Sequence, residues 1–201
     1  MSNNLRLTID MPPSVNHYLA YRAIIRNGRP MAMSYKTKEA LRYQKRLIEY
    51  VKKEVVNQNW DLKPNKTQHF YIDTVFYFKA TDQDANNYFK VMLDAITDTQ
   101  LIWLDDNVTC ERVQGIFYDS DNPRVEVHIH PTDYIGVFKN ASQLAEFESN
   151  CVGCSRYKRN CSLLRCAKEG RIQAEISDMV CSKFRPRKEK HNANNIIEQQ
   201  E

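Results

Sequence analysis

The sequence predicts an α+β fold, in which a small, mixed, mostly antiparallel sheet packs with helices and is followed by a small cysteine-rich module. Over about the first 130 residues, segments of strand-like alternation and of helical periodicity follow one another. Five of the six cysteines lie between Cys151 and Cys181. The chain of 201 residues is 42% hydrophobic and 27% charged, which suits one packed domain with an appendage.

The N-terminal third of the chain predicts a strand, a break and a basic segment. Residues 5–10 alternate apolar and polar side chains, which is typical of a half-buried strand. Prolines 12 and 13 oppose both a helix and a strand ladder. Residues 19–35, with an Asn-Gly pair at 27–28, predict a basic loop or hairpin.

The following segments predict two helices and three strands. Residues 37–57 are predicted as a helix with a basic outer face, because apolar residues recur at helical spacing at Leu41, Leu47, Ile48, Val51 and Val55. Residues 68–80 are rich in aromatic and β-branched types and predict a long strand. A second helix is predicted over 85–98, and two further strands over 108–118 and 124–130.

The changes in composition predict four regions: a first domain (1–131), a linker with a short helix (132–150), a cysteine-rich module (151–185) and a disordered tail (186–201). No apolar run approaches the roughly 18 residues that a bilayer span requires. The N-terminus lacks the basic-then-apolar layout of a signal peptide, so we expect a cytoplasmic protein without a membrane partner.

Charge is distributed unevenly along the chain. Residues 1–66 carry 13 Lys and Arg against 5 Asp and Glu, whereas residues 67–150 carry 5 against 14. Residues 151–190 carry 11 basic against 4 acidic residues. An acidic centre between basic flanks suits a protein that holds phosphates and cations, although uneven surface charge alone would give the same counts.

Acidic residues follow the long predicted strand. The strand is predicted to run into them and to place Asp82, Asp84 and Asn86 on one face, because side chains repeat every two residues. Lys90 and Asp94 follow at spacings of four, so Asn86, Lys90 and Asp94 would lie along one side of the next helix.

Asp105 and Asp106 lie at a predicted turn that could fold back towards this strand end. A convergent set of oxygen ligands suits Mg²⁺ or Mn²⁺, which can activate a water and steady a phosphodiester. The alternative is that these acidic residues cap helices and line solvated turns.

Four motifs, in order, resemble the RusA-like Holliday-junction resolvases over roughly residues 5–130. Residues 12–18 read PPSVNHY and resemble the family's PPSxNxxY motif. Residues 84–90 read DANNYFK and resemble its D-x-D-N-x-x-K motif. Residues 94–96 (DAI) resemble its D-A-L segment, and residues 103–106 (WLDD) resemble its (W)-x-D-D ending.

The resemblance implies a homodimeric, Mg²⁺-dependent (or Mn²⁺-dependent) endonuclease that cuts Holliday junctions and related branched DNA in recombination and repair, in a bacterial, prophage-bearing or phage-infected cell. By position, it implies metal ligands at Asp84, Asn86 and Asp106 and a catalytic lysine at Lys90. It implies supporting roles for Asp82, Asn87, Asp94 and Asp105. We expect DNA contacts from the first motif and the basic segment, at Asn16, His17, Tyr18, Arg22, Arg26 and Arg29.

One position departs from the family pattern, because Asn86 stands where the family has its second aspartate. The position could be an engineered inactivation, a natural variant in which Asp82 supplies the charge, or the mark of a junction-binding protein that does not cut. A nucleotide-linked DxD enzyme is a further class, but five glycines leave little room for phosphate loops.

The cysteine-rich segment contains a CxxC pair, Cys151 and Cys154, and three further thiols. Tetrahedral zinc needs two more ligands, for which Cys161 and Cys181 are our choices, with Cys166 as a substitute for either. A zinc staple would explain how about 40 residues fold, whereas unligated thiols in a disordered tail are the alternative. The module's basic residues could bind phosphates or dock a replication or recombination protein.

Overall fold

The structure is a computed structural model that describes residues 3–187. The chain forms two compact units, Met1–Thr132 and Asp133–Glu201. The last residues of the predicted tail, 188–201, lie outside the described residues. Within residues 3–187, no helix is both long and apolar enough to cross a membrane.

Over residues 3–132, the first unit contains six strands, three α-helices and one 3-10 turn. In chain order they are β1 (Leu5–Asp10), α1 (Val15–Tyr18), β2 (Leu19–Arg26), β3 (Arg29–Lys36), α2 (Lys38–Asn57), β4 (Phe70–Phe78), α3 (Asn86–Thr99), the 3-10 turn (Asp106–Val108), β5 (Thr109–Tyr118) and β6 (Arg124–Pro131). The predicted bounds of β1, α2 and α3 are confirmed to within one residue.

Four of these strands form one sheet in the order β1-β6-β4-β5. The β1–β6 and β6–β4 pairs are antiparallel and the β4–β5 pair is parallel, so the predicted mixed, mostly antiparallel sheet is confirmed. Alternate residues of β4 are buried, and they pack with α2 and α3 in the main core. The opposite face of β4, with Tyr71, Asp73, Val75 and Tyr77, stays partly exposed.

Strands β2 and β3 form a separate two-stranded hairpin, so of the two predicted alternatives for residues 19–35 the hairpin is correct. Asn27 and Gly28 at its tip have φ of 54° and 73°. Positive φ at both central residues is what a type I′ turn requires, and this turn matches the twist of the two strands.

The buried stripe of α2 differs in one position from the prediction. Leu47 and Val51 are buried as expected, but Leu41 is 52% exposed. The stripe begins instead with Ala40 and Gln44, because positions 40, 44, 47 and 51 follow the 3.6-residue period and position 41 lies about 100° away.

The second unit contains α4 (Ala141–Cys151), α5 (Ser162–Lys168) and a short hairpin of β7 (Ile176–Ser177) and β8 (Val180–Cys181). Among residues 133–187, its core cluster holds four buried residues, Phe138, Phe147, Leu164 and Ala167. Phe138 and Phe147 come from the segment predicted as a linker, so this segment packs against α5.

Candidate active site and cysteine cluster

Lys90 lies between two carboxylates of the first unit. Its Nζ is 2.6 Å from Oδ1 of Asp94, one turn along α3, and 3.3 Å from Oδ2 of Asp106 in the 3-10 turn. The hydrogen bond to Asp94 is the main reason that the pKa of Lys90 is raised, with partial burial opposing and Asp106 adding to it. Lys90 therefore holds its positive charge beside the carboxylates.

Tyr18 binds the carboxylate oxygen of Asp94 that does not face Lys90. Its hydroxyl donates to Oδ2 of Asp94 at 2.5 Å, and Gln44 Nε2 donates to the same hydroxyl at 3.4 Å. Burial and the Asp94 carboxylate raise the pKa of Tyr18, so it remains a donor. Tyr18 was predicted to contact DNA, but it is only 4% exposed, and its hydroxyl positions a carboxylate.

Asp84 and Asn86 occupy the start of α3, and the predicted strand face for them is wrong. Strand β4 ends at Phe78, and Asp82 lies in the exposed turn that follows. Oδ1 of Asp84 accepts the backbone N–H of Asn86 at 3.0 Å. A short carboxylate satisfies a free N–H at the start of a helix, and this capping ends the extended conformation.

Asn87 and Asp105 also contribute to local backbone structure. The N–H of Asn87 donates to the carbonyl of Asp84 at 3.1 Å. Oδ1 of Asp105 accepts the N–H of Asn107 at 3.0 Å and so caps the 3-10 turn in which Asp106 lies. The side chains that form ion pairs with Lys90 are those of Asp94 and Asp106.

Trp103 anchors the turn that carries Asp105 and Asp106. Its ring is fully buried against Phe70, and its Nε1 donates to Oγ1 of Thr97 at 2.7 Å. The turn therefore has a fixed position relative to α3. The segment 103–106 brings Asp106 to Lys90 because a large buried side chain precedes the two acidic residues.

The donor set of this site fits a hydrated divalent cation. Asp84, Asn86 and Asp106 offer oxygen ligands at accessible positions, and one carboxylate oxygen of Asp84 is not used by the helix cap. The carboxylates of Asp84, Asp94 and Asp106 do not all lie within 4.8 Å of one another. Mg²⁺ is commonly bound by one or two carboxylates with several waters, so a closed protein cage is not required.

The predicted DNA contacts differ in exposure. Asn16 and His17 are exposed in α1, next to the buried Tyr18. Arg22, Arg26 and Arg29 are exposed on the β2–β3 hairpin, which begins directly after Tyr18.

A second polar cluster, which sequence reasoning missed, lies on the open face of the sheet. Among residues 3–187, Asp73, His128 and His130 are the group of three potential metal ligands whose atoms all lie within 4.8 Å. Asp73 is the register partner of both His128 and Arg112, so only the strand pairing could have predicted the cluster.

Arg112 decides the character of this cluster. Its Nε and Nη2 donate to the two oxygens of Asp73 at 2.6 and 2.7 Å, and its guanidinium stacks 3.6 Å from the centroid of the Tyr71 ring. The hydrogen bonds from Arg112 hold the pKa of Asp73 well below its usual range. Since the guanidinium of Arg112 already binds both carboxylate oxygens of Asp73, the cluster is an ion-pair network.

Four cysteines of the second unit line one pocket. They are Cys151, Cys154, Cys161 and Cys181, whereas Cys166 on α5 is not part of the lining. Burial, together with the three neighbouring thiols, raises the pKa of Cys151 to about 11. Burial also opposes ionisation of Cys154, but surrounding backbone N–H groups lower its pKa overall.

The cysteines are close but not at zinc-bound spacing. Zn–S bonds of about 2.3 Å in a tetrahedron place sulfurs about 3.8 Å apart. No three of these four sulfurs lie within 4.8 Å of one another. Zinc binding would therefore draw the sulfurs inward.

The family model described as Endodeoxyribonuclease RusA matches residues 11–130 of the chain. No curated protein matches the chain significantly. The matched residues include Tyr18, α3 and the Asp106 turn, which together form the site around Lys90. The chain therefore belongs to the RusA endodeoxyribonuclease family.

Proposed function

We propose that this chain is a Mg²⁺- or Mn²⁺-dependent endonuclease that resolves Holliday junctions by paired nicks. Its family consists of endodeoxyribonucleases that act on such branched DNA and typically depend on a divalent metal. The observation that carries the proposal is the position of Lys90, held between Asp94 and Asp106 within the matched region.

Each residue of the site has a proposed role. Asp84, Asn86 and Asp106 would hold the cation. When bound, a divalent cation supplies charge that stabilises a phosphodiester and lowers the pKa of a water. Lys90 presents positive charge to the scissile phosphate. Asp94 orients the lysine, and Tyr18 in turn orients Asp94.

Asn86 is the position on which activity depends. Its amide oxygen can ligate a cation but brings no charge, so metal affinity should be lower than with a carboxylate. Asp82 lies in a turn and does not share a strand face with Asn86, which weakens the idea that Asp82 supplies the missing charge. The second candidate is therefore a protein of the same fold that binds junctions without cutting them.

A metal titration with a synthetic four-way junction tests these two candidates. We expect Asn86→Asp to lower the metal concentration needed for cleavage by about an order of magnitude. Asn122→Asp makes the same chemical change at an exposed turn residue and should leave cleavage as it is. If neither the natural chain nor Asn86→Asp cuts while both bind the junction, the nuclease proposal is wrong and the binding protein is supported.

The second unit is proposed to bind a structural zinc through Cys151, Cys154, Cys161 and Cys181. The shared pocket supports this set over one that includes Cys166. We expect one equivalent of zinc in purified protein and in Cys166→Ser, and substoichiometric zinc in Cys161→Ser, measured by elemental analysis. Equal zinc loss in both variants would contradict the ligand set.

The protein is also proposed to act as a homodimer, because paired nicks on opposed strands require two sites related by a two-fold axis. Edge strand β5 supports this with exposed apolar residues at Val113, Ile116, Phe117 and Tyr118. We expect Phe117→Asp to reduce the sedimentation coefficient to that of a monomer. A natural chain that sediments as a monomer would contradict the proposal. A docking partner for the cysteine module stays a prediction.

A further inference from the structure

The β2–β3 hairpin has two chemically different sides. Directly opposed residues of an antiparallel pair share a side, and residues along a strand alternate between sides. Beyond the pair of Leu19 and Lys36 at the base of the hairpin, one side holds three uncharged pairs, and we call this stretch the uncharged side: Tyr21 with Ser34, Ala23 with Ala32, and Ile25 with Pro30. The other side holds Arg22 with Met33, Ile24 with Met31, and Arg26 with Arg29.

The uncharged side exposes large apolar groups. Tyr21 is 71% exposed and Ile25 is 81% exposed. No other strand of residues 3–187 pairs with β2 or β3, so this surface does not belong to the main sheet. Exposed apolar groups clustered on one side of a protruding element indicate a binding surface.

The opposite side is suited to phosphates. It carries Arg22, Arg26 and Arg29, and the Arg22 guanidinium lies 5.8 Å from the centroid of the Tyr35 ring. Residues 11–38, which include the whole hairpin, contain five basic residues and no Asp or Glu. The formal charge of this segment is therefore only positive, which complements a polyanion such as a phosphate backbone.

Both ends of the hairpin are tied to the active site. Strand β2 begins directly after Tyr18, whose hydroxyl binds Asp94. At the other end, the N–H of Thr37 donates to the carbonyl of Tyr18 at 3.0 Å, and Lys36 Nζ donates to Gln44 at 3.1 Å. A ligand on the hairpin would therefore lie next to the site around Lys90.

We infer that the hairpin recognises the branch point of DNA with both sides at once. The arginine side contacts a phosphate backbone, and Tyr21 and Ile25 pack against base faces that a branch point leaves unstacked. Continuous duplex offers phosphates but no uncovered base faces, so the uncharged side favours branched over linear DNA. The inference rests on the proposed junction substrate and names the surface that selects it.

Fluorescence of 2-aminopurine placed at the branch point tests the inference, together with binding to the junction and to linear duplex of matched sequence. We expect the natural chain to raise the fluorescence and Tyr21→Ser/Ile25→Ser to abolish this rise. The same variant should lower junction affinity by about tenfold while duplex affinity stays unchanged. Leu41→Ser, which alters an exposed apolar residue of α2, should behave as the natural chain.

A second variant separates charge from stacking. Arg26→Gln/Arg29→Gln should weaken junction and duplex binding equally and reduce the slope of log affinity against log salt by about 1.8. An unchanged unfolding midpoint by tryptophan fluorescence confirms that both double variants fold.

The outcomes distinguish this inference from the proposed function. If the natural chain binds and cuts junctions but Tyr21→Ser/Ile25→Ser keeps the full fluorescence rise and junction preference, the inference is overturned and the proposed function stands. If the natural chain shows no junction preference, both are overturned. If the double variant instead dissociates a dimer, the uncharged side contacts a second copy, and the inference is likewise overturned.

Discussion

Replacing Tyr18 with phenylalanine should destabilise the first unit more than the same change at a comparable tyrosine. The Tyr18 hydroxyl donates to a carboxylate at 2.5 Å and also accepts from Gln44, and both Tyr18 and Gln44 are buried. Hydrogen bonds to charged groups contribute about 1.5–3 kcal/mol. Asp94 keeps its bond to Lys90 and some solvent contact, so we expect a loss of about 2 kcal/mol for Tyr18→Phe.

The expected decrease in melting temperature follows from the size of the first unit. An unfolding entropy of about 2.1 cal/mol/K per residue over Met1–Thr132 gives about 0.28 kcal/mol/K. A loss of about 2 kcal/mol then lowers Tm by about 7 °C. Both tryptophans of the chain pack in the core of this unit, so tryptophan fluorescence during heating reports its unfolding.

Tyr43→Phe provides the matched control. Tyr43 as a whole residue is as little exposed as Tyr18, but its hydroxyl donates to a neutral backbone carbonyl, that of Asp10, at 3.2 Å. Such a bond contributes about 1 kcal/mol, which corresponds to a Tm decrease of about 3–4 °C. If Tyr18→Phe lowers Tm no more than Tyr43→Phe, the carboxylate does not strengthen the Tyr18 bond, and the positioning role of Tyr18 is refuted.

Three further predictions concern other parts of the molecule. Because its folded-state pKa is depressed, Asp73 stabilises the fold above its unfolded pKa of about 3.9, and this contribution is lost as pH falls. Asp73→Asn should therefore be less stable than the natural chain at pH 7, with a difference that shrinks below about pH 4 in denaturant titrations; a constant difference would contradict it. Gly136→Ala should destabilise the second unit by more than about 2 kcal/mol, because φ is +58° and the new Cβ would meet a backbone oxygen at 2.0 Å. Hydrogen exchange of the second unit measures this loss. Gly153→Ala, whose Cβ would meet only a ring carbon at 3.4 Å, should have little effect, and equal effects would refute the argument. Zinc chelation should increase hydrogen exchange in the second unit and leave the tryptophan transition of the first unchanged; protection that survives chelation would argue against a zinc staple.

Local periodicity predicted most of the fold. Apart from Leu41 in α2, the stripe of α2, the bounds of α3 and the alternation of β1 are properties of short segments, and tertiary packing agreed with them. The contact between Lys90 and Asp94 also followed from spacing, because residues four apart meet on a helix surface. The Asn-Gly dipeptide at 27–28 pointed to a hairpin as one of two alternatives, and the turn it forms in the structure has positive φ at both residues.

The remaining features depended on contacts that spacing does not encode. Asp84 does not continue the strand, because its side chain accepts a backbone N–H at the start of a helix. Over a few residues, such capping competes with an extended backbone conformation. Tyr18 meets Asp94 across 76 positions of sequence. The cluster at Asp73 depends on two strand registers, and a one-residue slip in either would have placed its members on opposite faces.

The position of β6 in the sheet has a consequence for the order of folding. Strand β6 lies between β1 and β4, although it is the last strand of the first unit to be synthesised. Strands β5 and β6 are joined by a short turn but lie on opposite sides of β4, so they do not form a hairpin nucleus of their own. A nascent chain that has reached Tyr118 therefore lacks the native ladder partner of β1. The native pairing of β1 can form only after β6 has left the ribosome.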